Sequence, residues 1–164
     1  ASYLVFESSI VGNTDCTTPF WSAFSDIWSV EKGETVTKSF TNYTDGVNSW
    51  DNFLVVLQTT ATGHSAADNA DYAEYAVLRA DNFGWGTGYE TVTAEADWDL
   101  STFLSDIDGA KVELSVTNNG DTADVVAVVT TVDGTVYTQK YTGITTGGDL
   151  NFCLTCEGAY LVME

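Results

Sequence analysis

The sequence predicts an all-β protein in which two antiparallel sheets pack face to face, accompanied by one short helix. Two observations carry this prediction. Threonine, valine, tyrosine and phenylalanine are abundant and proline occurs once, at Pro19, and β-branched and aromatic residues are the ones that strands favour. In addition, turn signals recur at short intervals, which divides the chain into about nine or ten short strands.

The first half of the chain contains three predicted strands. Residues 34–46 alternate, with Val36 and Phe40 on one face and threonines on the other. Residues 50–60 are apolar on both faces, as expected of a central strand in a two-layer structure. Residues 72–80 follow as the next strand.

Hairpin signals organise the second half. Residues 111–116 and 124–132 flank an Asn119-Gly120 dipeptide, and Asn-Gly between apolar runs is a strong signal for a tight hairpin turn. Three further predicted strands complete the chain: residues 135–141, 150–156 and 159–164.

One segment departs from the strand pattern. Within residues 97–109, apolar residues recur at helical spacing at Leu100, Phe103, Leu104 and Ile107. Asp97 or Asp99 is suited to cap the start of this helix, and Gly109 to end it. We therefore predict one short helix that closes an end of a β-sandwich of the jelly-roll type. A closed barrel is the alternative, and the helix argues mildly against it.

Length and charge limit the classes of function. The chain of 164 residues fits one domain, which we assign to residues 1–164. With 24 acidic and 5 basic residues its formal net charge is −19, so phosphate backbones and anionic membrane surfaces would repel it. No apolar run approaches the roughly 18 residues that a membrane span needs. We expect neither a nucleic acid nor a membrane as partner, and the charge favours a monomer.

The three cysteines do not form a recognisable site. Cys153 and Cys156 are three residues apart in a predicted strand, so they point to opposite faces and fit neither a zinc knuckle nor a thioredoxin-type motif. Two interpretations stay open. Either Cys16 forms a disulfide with one of them in an exported protein, or all three are free thiols, as is common for buried cysteines.

The chain offers little for catalysis. His64 is the single histidine and lies in a polar stretch without a nucleophile motif, so we interpret it as an exposed loop residue. Glycoside hydrolysis needs only two carboxylates, and Glu74 and Glu157 are the best candidates. Residues 95–101, however, lack the second glutamate of the strand motif of laminarinase-type enzymes. The sequence therefore predicts no enzymatic activity, with a small jelly-roll endo-glycoside hydrolase as the alternative.

Aromatic residues beside polar ones are the strongest functional signal. Trp50 lies near Asn52, and residues 81–90 place Trp85 and Tyr89 among three glycines. Indole and phenol rings stack on the apolar faces of pyranose rings, while nearby amides, carboxylates and guanidinium groups bind the hydroxyls. These two segments therefore predict a carbohydrate site.

Within residues 81–90 we assign different roles to the rings. Trp85 and Tyr89 are predicted to stack on the ligand, whereas Phe83, which has no polar atom, is predicted to anchor the loop on the sandwich. The glycines would let the loop fold tightly and let a ligand approach the backbone. Arg79 ends the preceding strand, and its planar guanidinium suits two adjacent sugar hydroxyls.

Three segments of the chain are similar to a known class of module. Residues 20–57, 71–90 and 151–163 resemble the non-catalytic carbohydrate-binding modules of secreted bacterial glycoside hydrolases, in particular the β-sandwich modules that accompany endo-β-glucanases and laminarinase-type enzymes. The resemblance implies a secreted protein that binds a neutral polysaccharide, with a β-glucan as the first candidate, and holds an attached hydrolase near its substrate.

The resemblance also implies a structural calcium ion, for which the sequence assigns no ligands. The carboxylates that crowd the predicted helix or the N-terminus match no EF-hand spacing: Glu7, Asp15, Asp97, Asp99, Asp106 and Asp108. The residues that fit the ligand-binding role implied by the resemblance are Trp50, Asn52, Glu74, Tyr75, Arg79, Trp85 and Tyr89. A structural or adhesive module, whose aromatic residues contact protein, is a further alternative.

Overall fold

The computed structural model describes residues 9–164, and within that range the side chains of all residues except 100–102. Two antiparallel sheets pack against each other, which confirms the predicted β-sandwich. A single short α-helix accompanies the strands in the described part of the chain, as expected. Within this range, no helix is both long and apolar enough to cross a membrane.

The larger sheet has seven strands in the order β1-β12-β3-β8-β9-β10-β7. Their bounds are β1 Ile10–Gly12, β3 Thr35–Thr44, β7 Thr93–Ala96, β8 Ala110–Asn118, β9 Thr122–Thr130, β10 Val136–Thr145 and β12 Ala159–Met163. The predicted turn at Asn119 and Gly120 joins β8 to β9, and Gly120 has a φ of +100° there, a conformation that glycine adopts without steric cost.

The smaller sheet has five strands in the order β2-β11-β4-β5-β6. Their bounds are β2 Trp28–Ser29, β4 Phe53–Gln58, β5 Glu74–Arg79, β6 Gly84–Trp85 and β11 Asn151–Cys156. Strand β4 is the middle strand and is buried along its whole length, which confirms the prediction from its two apolar faces.

The helix α1 spans Leu100–Asp106, and a short 3-10 turn spans Tyr89–Thr91. Phe103 and Ile107 are buried in the core. The helix ends at Asp106, three residues before Gly109, which was predicted to end it. Gly109 has a φ of +74°, and its backbone N–H donates to the Asn42 carbonyl oxygen at 2.8 Å, so it belongs to the turn that leads into β8.

The main core lies between the two sheets. Its strands follow the two-residue alternation of a half-buried sheet, most clearly in β8 and β9, where every second residue is buried. Large side chains that are fully buried between the sheets include Phe40, Leu57, Leu78, Leu114, Ile144, Phe152, Leu154 and Leu161.

The outer face of the smaller sheet, which points away from the main core, is partly covered as well. Leu54, Val56, Val77 and Cys153 form a second buried cluster there, and Trp21, Phe24 and Ile27 pack onto it. These three side chains belong to the segment between β1 and β2, residues 13–27, which we call the covering loop. It explains why β4 is apolar on both faces.

His64 packs against the covering loop, so the prediction of an exposed histidine is wrong. Its ring stacks on Phe24, with 3.8 Å between ring centroids and 8° between ring planes. Its carbonyl oxygen accepts a hydrogen bond from Trp21 Nε1 at 2.9 Å. Burial lowers the pKa of the His64 imidazole, and the charge of Asp68 opposes this shift.

The cysteines are free thiols. Cys153 belongs to the cluster on the outer face and Cys156 to the main core, which confirms that the two point to opposite faces of their strand. Burial raises the pKa of Cys153 to about 12 and that of Cys156 to about 11. Both thiols are therefore protonated at neutral pH and are poor nucleophiles.

Candidate functional site: an aromatic groove on the smaller sheet

Four large aromatic side chains are exposed among the described residues, and all four lie in one region of the surface. Phe20, Trp50, Phe83 and Trp85 are exposed by 49%, 45%, 56% and 39%. Phe20 contacts Trp85, with 6.1 Å between ring centroids. The guanidinium carbon of Arg79 lies 5.7 Å from the Trp50 ring centroid and 5.5 Å from that of Phe83.

Three of these rings, those of Phe20, Trp50 and Trp85, line an open groove of about 380 Å³ on the outer face of the smaller sheet. We call it the aromatic groove. Its lining residues are Phe20, Trp50, Leu54, Arg79, Trp85 and Glu157. Its volume lies within the range of about 300–1,000 Å³ typical of small-molecule sites.

Sheet register explains why Arg79 and Trp85 reach the groove. Arg79 pairs with Leu54 on β4, and Trp85 pairs with Val77 on β5. Directly paired residues of antiparallel strands project to the same face. Leu54 and Val77 belong to the outer-face cluster, so Arg79 and Trp85 project to that face too.

Trp50 is held at the groove by the loop between β3 and β4. Asn52 in this loop is fully buried. Its Oδ1 accepts a hydrogen bond from Asn42 Nδ2 at 2.9 Å, and its Nδ2 donates to the Ser49 carbonyl oxygen at 2.9 Å. Asn52 therefore cannot contact a ligand, contrary to its predicted binding role, and instead fixes the loop that presents Trp50.

Arg79 is oriented by a buried carboxylate. Its Nε donates to Asp81 Oδ1 at 3.0 Å, and its Nη2 donates to Asp81 Oδ2. Asp81 is 1% exposed and also accepts a hydrogen bond from Ser49 Oγ at 2.7 Å. A two-point contact of this kind fixes the plane of the guanidinium group, so Arg79 is held rigidly between two aromatic rings.

The positions of Phe83 and Tyr89 differ from the predicted ones. Phe83 is the most exposed of the four rings and contacts the guanidinium group of Arg79, so it does not anchor the loop on the sandwich. Tyr89 is half-buried and packs against the main core. Burial, together with the nearby charge of Asp81, raises the pKa of the Tyr89 hydroxyl.

The glycines of this loop are required by contacts within the protein. A Cβ atom at Gly84 would lie 2.7 Å from the Tyr89 ring, and one at Gly86 would lie 2.7 Å from the Tyr75 carbonyl oxygen. Gly86 also has a φ of +114°, which disfavours other residues. Because these glycines have no side chain, the Tyr89 ring and the backbone of β5 can pack against them. This packing accounts for the glycines without the predicted close approach of a ligand.

Glu74 and Tyr75 lie away from the aromatic groove. Glu74 and Arg79 stand at opposite ends of β5, five residues or about 17 Å apart. Glu74 accepts a hydrogen bond from the Tyr72 hydroxyl at 3.0 Å, and the Tyr75 hydroxyl donates to the Asp149 carbonyl oxygen at 2.6 Å. Both side chains are thus engaged elsewhere, and the predicted seven-residue site reduces to Trp50, Arg79 and Trp85.

Phe20 and Glu157 complete the groove and were not predicted as ligand-binding residues. Phe20 lies in the covering loop, where the sequence indicates only a mixture of apolar residues. Glu157 follows β11, and its backbone N–H donates to the Asn52 carbonyl oxygen at 3.3 Å, which ties it to the Trp50 loop. In the sequence Glu157 stands out only as a candidate carboxylate for hydrolysis.

Four of the acidic residues considered for calcium accept hydrogen bonds within the fold. Asp97 Oδ1 accepts a hydrogen bond from the Thr138 backbone N–H, and Asp108 Oδ1 from that of Thr44. Asp106 accepts one from the Tyr137 hydroxyl, and Asp15 from Thr17. Glu7 lies outside the described residues. Within residues 9–164, no group of three His, Cys, Asp or Glu side chains is arranged to hold a metal ion.

No known protein family matches this chain, and neither a curated protein nor a solved structure gives a significant match. The resemblance to carbohydrate-binding modules therefore stays a prediction. The function has to be inferred from the aromatic groove and from the charge of the molecule around it.

Proposed function

We propose that this domain binds a neutral polysaccharide, with a β-glucan as the first candidate, in the aromatic groove and without cleaving it. The observation that carries the proposal is the gathering of four exposed aromatic rings in one region. Trp50 and Phe83 lie against Arg79, and Phe20 and Trp85 contact each other and line the same groove. Large apolar rings in water are unfavourable, and their concentration in a single region is typical of a surface with a binding role.

The chemistry of the groove suits a sugar. Trp50 and Trp85 offer flat apolar faces, Leu54 provides an apolar floor, and Arg79 and Glu157 offer a hydrogen-bond donor and an acceptor. Pyranose rings present apolar C–H faces with hydroxyls around the rim, so they match an aromatic surface that carries polar groups. The net charge of −19 favours an uncharged ligand over an anionic one.

The carboxylates around the groove favour binding over hydrolysis. Glycoside hydrolases act with two carboxyl groups that flank the scissile bond, whereas a single carboxylate, Glu157, lines the groove in the described part of the chain. Glu74, the residue on which the hydrolase alternative depends, is hydrogen-bonded to Tyr72 at the far end of β5.

Three further features are proposed on the resemblance to carbohydrate-binding modules alone. They are secretion from a bacterium, attachment to a glycoside hydrolase that the domain holds near its substrate, and a structural calcium ion. The groove itself supports only the binding part of this proposal, since each of the three features concerns the rest of the molecule or its setting.

Affinity electrophoresis and calorimetry against soluble β-glucans of different linkage test the proposed binding. We expect the parent domain to bind at least one glucan, and Trp50→Ala or Trp85→Ala to weaken binding by about 1–3 kcal/mol, the usual loss for an aromatic hot spot. Tyr160→Ala is the matched control, because Tyr160 stacks on Tyr43 on the larger sheet and should leave affinity unchanged.

The same protein samples separate the alternatives. Release of new reducing ends from a β-glucan, abolished in Glu74→Gln, would identify the hydrolase. Failure to bind any member of a broad panel of neutral glycans would contradict the proposal and leave the groove as a protein-contact surface, because exposed Trp and Arg side chains also dominate protein interfaces.

A further inference from the structure

Two polar groups in the aromatic groove have unused hydrogen-bonding capacity. Arg79 donates from Nε and Nη2 to Asp81, and its Nη1 donates no hydrogen bond to any described residue. The Glu157 carboxylate likewise accepts none within residues 9–164. Opposite charges line the same groove, yet Arg79 makes its salt bridge with Asp81 and not with Glu157.

The Glu157 carboxylate is held in a costly environment. The residue is half-buried, and desolvation, followed by the charge of Asp51, raises its pKa, while the charge of Arg79 opposes the shift. Asp51 is 6% exposed, and desolvation together with a hydrogen bond to Asp45 raises its pKa as well. Because no described residue donates a hydrogen bond to this half-buried carboxylate, its oxygens are available to accept hydrogen bonds from water or from a ligand in the groove.

We infer that Arg79 and Glu157 together determine which sugar the groove accepts, a neutral residue with two adjacent free hydroxyls, and this inference rests on the proposed function. One hydroxyl donates a hydrogen bond to the Glu157 carboxylate, and the neighbouring hydroxyl accepts one from Arg79 Nη1. Trp50 and Trp85 cover the apolar faces of the same chain.

The net charge of the aromatic groove gives it a second kind of selectivity, against anionic sugars. The positive charge of Arg79 is already balanced by Asp81, so the ionised Glu157 leaves the groove with one net negative charge. A sugar carrying a carboxylate would face this charge and the acidic surface of the protein without a free cation to pair with. The groove therefore rejects uronic-acid polymers, even though it contains an arginine.

The hydrogen bond to Glu157 also makes binding depend on pH. The charged groups that face Glu157 are Asp51 and Arg79. Only the ionised carboxylate accepts hydrogen bonds from hydroxyl groups with both oxygens. Affinity is therefore full above the raised pKa of Glu157 and falls as the pH drops through it.

Glu157→Gln tests the inference, with Glu113→Gln as the matched control, because Glu113 is an exposed glutamate on β8 of the larger sheet. Affinity for the best-bound neutral glucan and for a uronic-acid polymer is measured at about pH 7.5 and about pH 5. We expect Glu157→Gln to bind the neutral glucan about tenfold more weakly at the higher pH, as for loss of a charge-assisted hydrogen bond. Its affinity should be almost independent of pH, and it should discriminate less against the uronic-acid polymer.

The outcomes distinguish this inference from the proposed function. If Trp50→Ala and Trp85→Ala lose affinity while Glu157→Gln matches the parent at both pH values, the proposed function stands and the role of Glu157 is overturned. If the parent binds no member of a broad panel of neutral glycans, both are overturned. If the parent prefers the uronic-acid polymer, the selectivity argued from charge is overturned.

Discussion

The outer face of the smaller sheet has two halves that are built from the same kinds of residue but differ in what covers them. Over one half, Trp21, Phe24 and Ile27 of the covering loop seal Val56, Val77 and Cys153 from solvent. Over the other half, the aromatic rings stand around Arg79 and an open groove. The difference shows that aromatic residues in loops are no indication of a site until one knows whether the chain itself buries them.

The two halves also use their polar groups differently. In the covered half, Trp21 Nε1 donates to the His64 carbonyl oxygen and Thr155 Oγ1 donates to that of Ala23, so hydrogen bonds fasten the loop to the sheet. In the open half, the buried hydrogen bonds of Asp81 orient Arg79, while Glu157 and part of Arg79 remain unpaired. The first arrangement stabilises the fold, and the second leaves hydrogen-bonding capacity for a ligand.

The largest effect on stability is expected from the salt bridge between Arg79 and Asp81, which attaches the open half to the fold. Arg79→Met removes the cation that balances Asp81, which is 1% exposed, and leaves a buried charge with Ser49 as its hydrogen-bond donor. We expect a loss of about 3 kcal/mol in the free energy of unfolding, measured by urea denaturation, because uncompensated buried charges are strongly destabilising. Glucan binding should be lost as well.

A double variant checks the reason for this loss. Arg79→Met combined with Asp81→Asn removes both charges and should recover more than half of the lost stability, but not the binding. Equal stability of the single and double variants would mean that the Asp81 charge does not dominate, and that Arg79 contributes mainly through its contacts with Trp50 and Phe83.

Two tryptophans provide a direct test of the contrast between the halves. Trp21→Ala removes packing on the outer-face cluster and the hydrogen bond to His64, and we expect it to cost about 2 kcal/mol of unfolding free energy. Trp50 is 45% exposed and its ring meets a cation, so Trp50→Ala should cost less than about 1 kcal/mol. Equal losses in chemical denaturation would remove the distinction between a covered and an open half.

The fold was predictable because its signals are local. The alternation in residues 34–46, the Asn119-Gly120 turn and the helical spacing before Gly109 each specify a short piece of structure, and all of them are confirmed. The two apolar faces of residues 50–60 correctly indicated a central strand. The sequence did not reveal that residues 13–27 cover the outer face of the smaller sheet. This loop has no periodic pattern, and its position depends on tertiary packing.

The site was only partly predictable. Residue type singled out Trp50, Arg79 and Trp85, and the structure brings them to one groove. The roles of Phe83 and Tyr89 depend on backbone turns at the intervening glycines, which a periodic pattern does not describe. Glu74 and Arg79 lie on the same strand, which led to the prediction that both bind the ligand. The sequence does not reveal that the groove lies at the Arg79 end of this strand.

The smallest of these effects concerns the covered half and follows from the ionisation of His64. Burial lowers the pKa of this imidazole, against the opposing charge of Asp68, so the folded state binds fewer protons than the unfolded state just below the ordinary value of about 6.5. By linkage, the unfolding free energy is unaffected by His64 above that pH and decreases as the pH falls, because the unfolded state takes up the proton more readily than the folded state. His64→Gln cannot take up this proton, so between about pH 7.5 and about pH 5 the parent should lose more unfolding free energy than the variant. The His64 ring stacks on Phe24 of the covering loop, so protonation of His64 should weaken the attachment of this loop. If the unfolding free energies of the parent and of His64→Gln changed equally with pH, the protonation of His64 would have no effect on stability.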